Sequence, residues 1–156
     1  SLLVRKFTKN KNVKIIFEPG RFIIGNTAVL ISKIIYIKKS NNKKIVILDA
    51  GMNDLMRPAL YDAEHQIVPL KKTNKRIGGN IEFVGPVCES ADKFFSRRGF
   101  IQIREGDYVG LTHVGAYGMS LSSNYNSRPT AAEIMVTGSK HQLIRKRQSL
   151  ENLVNN

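Results

Sequence analysis

Five short segments carry side chains that could do chemistry. The first is Glu18-Pro19-Gly20-Arg21. It is a turn whose glycine lets the backbone approach a ligand closely, and whose arginine can fork onto a carboxylate or phosphate. The bland reading is a turn and nothing more. In the second, Asn53 to Tyr61, Arg57 and Tyr61 stand four residues apart. On a helical turn they share a face, and a cation beside a phenol can bind an anion. A surface arginine next to a packed tyrosine is the alternative. The third, Gly85-Pro86-Val87-Cys88-Glu89-Ser90-Ala91-Asp92, puts a cysteine at the end of an apolar run. Such a cysteine is usually a small core residue. Here Glu89 and Asp92 follow and resist burial, so Cys88 could equally be an exposed acid. The fourth, Gly115-Ala116-Tyr117-Gly118, leaves a tyrosine accessible between small residues. The fifth, Ser122 to Pro129, is a polar loop with Tyr125 inside it.

Many short strands must position these segments. Val13 to Phe17 reads as a buried strand leading into Glu18-Pro19-Gly20-Arg21. Ala28 to Ile37 and Lys44 to Leu48 read as a hairpin across Ser40-Asn41-Asn42. A loop with a helical turn follows over Asp49 to Tyr61, then a short strand at Gln66 to Pro69. Lys71 to Asn80 reads as a basic loop, Ile81 to Val87 as a strand, and Ser96 to Gly99 as a polar connection. Tyr108 to Thr112 is a strand after Glu105-Gly106-Asp107. Ala131 to Val136 and Gln142 to Arg145 make a second hairpin across Gly138-Ser139, and Ser149 caps a last short helix. Close-spaced strands and turns predict a mainly β sandwich or barrel. One parallel-type strand at the start, without the neighbours it needs, predicts a segment missing upstream.

A chain of 156 residues, 42% hydrophobic, suits one domain. No apolar run approaches the roughly 18 residues that span a bilayer. A lone cysteine, Cys88, excludes an internal disulfide and fits a reducing, cytoplasmic setting. The charge of +13 raises nucleic-acid binding. The lysines, however, lie in pairs at turns (Lys38-Lys39, Lys43-Lys44, Lys71-Lys72), as solvated charges do, and no specific nucleic-acid reader is evident. No metal site is expected.

The order of the motifs is more specific than any one of them. EPGR, NDLMRPALY, GPVCESAD, GAYG and SSNYNSRP, in that succession, resemble the diaminopimelate decarboxylase family of fold-type III pyridoxal-phosphate enzymes, from its last barrel strand to near its C-terminus. The resemblance covers the chain after about residue 13. It implies a C-terminal β-domain of the alanine racemase-like decarboxylases over 27–156, preceded over 1–26 by the last strand and turn of a (β/α) barrel. It implies pyridoxal 5'-phosphate as cofactor and meso-diaminopimelate as substrate, decarboxylated to L-lysine. Glu18, Pro19, Gly20, Arg21 and Tyr117 are implied to bind the cofactor. Arg21, Arg57, Tyr61, Glu89 and Tyr117 are implied to bind substrate, with Cys88 as proton donor. The family is dimeric, and Cys88 and Glu89 would reach the partner's site.

One departure stands out. The family's cofactor lysine and mid-barrel glycine-rich phosphate loop have no counterpart in this sequence, so the missing barrel half is itself an expected partner. The chain by itself is expected to be inactive. The competing readings are an inert remnant, a β-domain kept for dimerisation or another interaction, and a basic nucleic-acid-binding module.

Overall fold

The computed structural model describes residues 2–9 and 12–155. Ser1, Asn10, Lys11 and Asn156, the first three of them within the expected barrel remnant, lie outside the described residues.

The architecture is mainly β. A six-stranded sheet has the order β3-β6-β1-β2-β4-β5. Its strands are β1 (Val29–Ser40), β2 (Lys43–Leu48), β3 (Ile67–Pro69), β4 (Arg76–Val84), β5 (Lys93–Ile101) and β6 (Tyr108–Thr112). β1 is the seam. Its first half, Val29 to Lys33, pairs antiparallel with β6. From Ile34 on it pairs antiparallel with β2, across a register shift between Ile34 and Tyr36. Such an irregularity bends a strand and lets one long element serve two parts of a curved sheet. The expected hairpin of β1 and β2 forms, with Asn41 in the left-handed region at φ 45°.

The alternation along the strands fills the concave side. Ile34, Val46, Leu48, Ile81, Phe83, Phe94, Phe100, Val109 and Leu111 make the buried core. Phe83 and Phe100 meet edge to face with ring centroids 5.1 Å apart. The Arg97 guanidinium lies 5.7 Å from the Phe100 ring, the cation over an aromatic face.

β2 and β4 run parallel. Their C-terminal ends therefore sit side by side, which puts the loop after Leu48 next to the loop after Val84. β6 runs antiparallel to β1, so Thr112 ends beside Val29 at the same side of the sheet. Every segment singled out for chemistry between Asp49 and Gly118 leaves the sheet from that side.

A separate two-stranded hairpin, β7 (Glu133–Thr137) with β8 (Lys140–Arg145), stands on the sequence as expected, beginning two residues later than Ala131. Short helices complete the fold: α1 (Leu2–Thr8), α2 (Arg21–Ile24), α3 (Arg57–Tyr61) and α4 (Leu150–Val154). Ser149 caps α4, its side chain accepting from the Asn152 N–H at 3.1 Å. No helix among the described residues is long and apolar enough to cross a membrane.

Several expectations are corrected. Val13 to Phe17 is neither buried nor a strand; Ile16 and Phe17 are 69% and 67% exposed, and the segment has no ladder partner. Its apolar run is real, but a strand exists only where neighbours take up its N–H and C=O groups. The basic stretch 71–80 is not all loop, because β4 starts at Arg76 and Ile77 packs on the core. Ser96 to Gly99 is not a connection but the middle of β5, paired with Ile81, Asn80 and Glu82. β5 is an edge strand, and an edge tolerates polar residues that an inner strand does not. The strand expected through Val87 ends at Val84, two residues before Pro86. Helices α1 and α2 were not anticipated.

Phe83→Ala is expected to destabilise the sheet by about 3–5 kcal/mol, the usual cost of emptying a core phenylalanine site. Ser96→Ala on the exposed edge should stay within about 0.5 kcal/mol. Urea unfolding checks both; equal effects would contradict the assigned core.

Candidate functional site

Arg57 opens α3, whose second residue, Pro58, suits a first turn. Asp62 closes the helix in the left-handed region at φ 52°. Arg57 and Tyr61 share this single turn as expected, Arg57 half-buried and Tyr61 exposed. A five-residue helix is too short to hold itself. Its anchor is His65, which is 1% exposed. His65 Nδ1 lies 2.9 Å from the Thr112 carbonyl oxygen, and its Nε2 lies 3.3 Å from Arg57 Nη1. Arg57 is thereby tied to the end of β6.

The chain leaves β6 into Gly115-Ala116-Tyr117-Gly118, which packs on α2. The Gly115 N–H donates to the Gly25 carbonyl at 3.0 Å. A Cβ on Gly115 would stand 2.0 Å from the Ile24 carbonyl oxygen, so only glycine permits this approach. The contact puts the Tyr117 turn against the helix that begins with Arg21. Tyr117 itself is half exposed and sits at φ 62°. A tyrosine in that region is strained, and such residues cluster at ligand sites. Glu18, Pro19, Gly20 and Arg21 are all exposed, and nothing lies within 4 Å of where a Gly20 side chain would start. An open backbone at Gly20, the Arg21 cation and an accessible tyrosine ring suit a ligand with a phosphate and an aromatic ring.

Cys88 and Glu89 lie on the loop after β4, Cys88 as an exposed thiol. The loop is folded around a buried carboxylate. Asp92 accepts the Val87 N–H at 2.8 Å and, from the loop after β2, the Met52 N–H at 2.7 Å. A Cβ on Gly85 would fall 2.2 Å from that carboxylate, so the glycine is needed there too. Arg128 locks the third strip of chain in place. Its Nε donates to Asn53 Oδ1 at 2.8 Å and its Nη2 to the Asp49 carbonyl, while the Ser123 N–H donates to the Asn53 carbonyl at 2.9 Å. Asp49 in turn accepts from Ser32 Oγ at 2.6 Å on β1.

The titrations follow from this geometry. Burial lowers the pKa of His65, opposed by its bond to Thr112 and aided by the Arg57 charge. Burial raises Asp92 against its two backbone donors, and raises Asp54 likewise. Glu89 is held low by the Ala91 N–H first, with help from the hydroxyls of Ser90 and Tyr125. Glu89 is thus a stable anion beside an exposed thiol, able to receive an ammonium group.

Two groupings result. The segments that carry Arg21, Tyr117 and Arg57 are attached at or just after the end of β6, with Tyr61 exposed on α3. Cys88 and Glu89 occupy their own loop beside the Tyr125 segment, joined to the first grouping through Asp92, Met52 and the chain leading to Arg57. Sequence reasoning missed the residues that do the joining: His65, Asn53, Asp92 and Arg128. Asn53, Asp92 and Arg128 stood inside quoted motifs, and none of the three was given a role; His65 stood in none.

A family model described as the C-terminal sheet domain of the pyridoxal-dependent decarboxylases matches residues 21–115. The chain belongs to that family. It is 47% identical over 97% of its length to a diaminopimelate decarboxylase of Zymomonas mobilis, and 41% identical over 97% to that of Aquifex aeolicus. The structure of the Helicobacter pylori diaminopimelate decarboxylase complexed with L-lysine superposes with a TM-score of 0.84, at 41% identity over 97% of this chain. The chain spans about 36% of the length of these curated relatives. A viral arginine decarboxylase, at 18% identity and a TM-score of 0.67, shares the fold.

A histidine whose native pKa is depressed stabilises the fold fully above its ordinary value of 6.5, and that contribution is lost as pH falls from 6.5 toward the native value. The urea midpoint should therefore decline between about pH 7 and pH 5. His65→Gln, which cannot titrate, should flatten that decline; an unchanged slope would mean His65 is protonated as easily folded as unfolded.

Proposed function

We propose that this chain is the substrate-reading and proton-donating part of a pyridoxal-phosphate-dependent diaminopimelate decarboxylase, which converts meso-diaminopimelate to L-lysine and CO₂. The observation that carries the reading is that the segments bearing Arg21, Tyr117 and Arg57 are all attached at the end of β6. The names and near-complete coverage of the relatives support the choice of substrate.

Bound pyridoxal phosphate supplies an electron sink for the pair left behind when a carboxylate departs as CO₂. This chain supplies the rest of its side of the site. Glu18 to Arg21 line the phosphate, Gly20 by its open backbone and Arg21 by its charge. Arg21 also faces a substrate carboxylate. Tyr117 contacts cofactor and substrate. Cys88 Sγ–H delivers the proton that replaces CO₂ at the reacting carbon. Arg57, Tyr61 and Glu89 read the far end of the substrate, which carries a carboxylate and an ammonium. That end survives as the amino-acid end of L-lysine, so the same groups hold product.

Residues 1–26 belong with a (β/α) barrel that provides the cofactor lysine, and 27–156 form the β-domain. The working enzyme is a cytoplasmic homodimer in which Cys88 and Glu89 serve the partner's site. An interaction role without catalysis is the second reading. It is favoured by the apolar side chains exposed on the β7–β8 hairpin, Ile134, Val136 and Leu143 among them, since a lone hairpin needs cover.

With the chain joined to a family barrel, Cys88→Ala should lower kcat by about 10²–10⁴-fold with little change in KM, the range for losing a general acid. Glu89→Ala should chiefly raise KM. Mixing the Cys88→Ala protein with a variant lacking the barrel lysine should restore part of the activity, because one site of the mixed dimer is intact. CO₂ release measures all three. Subunits that exchange without regaining activity would overturn the shared site, and a joined protein that is inert toward meso-diaminopimelate would leave the interaction reading.

A further inference from the structure

We propose that His65 is a positioning residue of the substrate-reading site: as a neutral Nδ1–H imidazole fixed to the sheet, it holds the Arg57 guanidinium by one nitrogen and leaves its full charge for a ligand carboxylate. This rests on the reading of Arg57 given above. The tautomer follows from the partners. Nδ1 lies 2.9 Å from the Thr112 carbonyl, which can only accept, so Nδ1 carries the hydrogen. Nε2 lies 3.3 Å from Arg57 Nη1, and a guanidinium can only donate, so Nε2 must be the bare nitrogen.

The choice of histidine has a physical consequence. A carboxylate in its place would anchor Arg57 more tightly, but it would neutralise the cation and compete with the ligand. A neutral acceptor gives geometry without neutralisation. Among the described residues Arg57 has no ion pair, and Nη2 has no hydrogen-bond partner. Its Nε is enclosed and also without a partner. The guanidinium is therefore not placed to satisfy its own hydrogen bonds within the chain. It is placed by His65, and its unused donor, Nη2, awaits an anion. α3 contributes no buried residue, so the rigidity comes through His65 from Thr112, the last residue of β6.

The test compares two ligands on the full-length holoenzyme. L-lysine carries the carboxylate that Arg57 is proposed to read; 1,5-diaminopentane is the same molecule without it. His65→Asn keeps a donor for Thr112 and removes the acceptor for Arg57. It should weaken L-lysine binding, measured by calorimetry, roughly 10–100-fold, as for a lost bond to a charged group. Binding of 1,5-diaminopentane should stay within about twofold, since it lacks the group being read. His65→Gln restores an acceptor near Nε2 and should recover most of the L-lysine affinity. In an Arg57→Gln background, His65→Asn should add nothing. Independently of ligand, nitrogen NMR of the 156-residue chain should show His65 as the Nδ1–H tautomer at neutral pH. Equal loss for both ligands, or an Nε2–H tautomer, overturns the role of His65. If Arg57→Gln weakens L-lysine and His65→Asn does not, His65 alone is misassigned. If Arg57→Gln leaves L-lysine binding unchanged, the reading of Arg57 falls, and the proposal with it.

Discussion

The arrangement depends on one buried carboxylate. Asp92, 2% exposed, collects N–H groups from two loops that are far apart in sequence and adjacent only because β2 and β4 run parallel. Burying a charge without partners is prohibitive, so the loops must close around it or the loop after β4 does not form. Gly85 is the space that the carboxylate fills. Arg128 repeats the device on the other side, tying Asn53 and the Asp49 carbonyl to the segment that carries Tyr125. The exposed thiol of Cys88 and the anion of Glu89 are thus presented from a loop folded around a hydrogen-bonded carboxylate, which holds its exposed tip in place.

The second constraint is the end of β6. Thr112 receives His65, His65 holds Arg57, and three residues past the strand the Gly115 backbone abuts Ile24 on the helix that begins with Arg21. Local segments too short to be stable by themselves, a five-residue helix and a four-residue one, borrow order from the sheet through single contacts. The candidate residues lie on short segments between strands and the rigidity is in the strands.

The β class, the hairpins and the order of the motifs were legible in the sequence because apolar alternation and turn residues are local signals. β1, β2 and β6 came through within a few residues at each end. β5 was misread where Ser96, Arg97 and Arg98 interrupt the apolar pattern, since nothing local says that the strand lies at an edge. Val13 to Phe17 was misread for the opposite reason: its pattern is that of a strand, but strand formation depends on partners that a single segment cannot declare. The candidate residues Arg57, Cys88, Glu89 and Tyr117 were singled out by type and motif. The groups that aim them were not. His65 looked like an ordinary residue between Glu64 and Gln66, and its two hydrogen bonds span 8 and 47 residues of sequence.

The central claim is that this sheet domain completes a decarboxylase site with Arg57 and Glu89 reading the far end of the substrate. A crystal structure of the full-length holoenzyme with bound L-lysine tests it most directly. The account predicts the lysine carboxylate on Arg57, the adjacent ammonium on Glu89 contributed by the other subunit, and Cys88 Sγ facing the carbon that lost CO₂. A lysine bound with its amino-acid end away from Arg57 and Glu89, or with Cys88 turned to solvent, would contradict it.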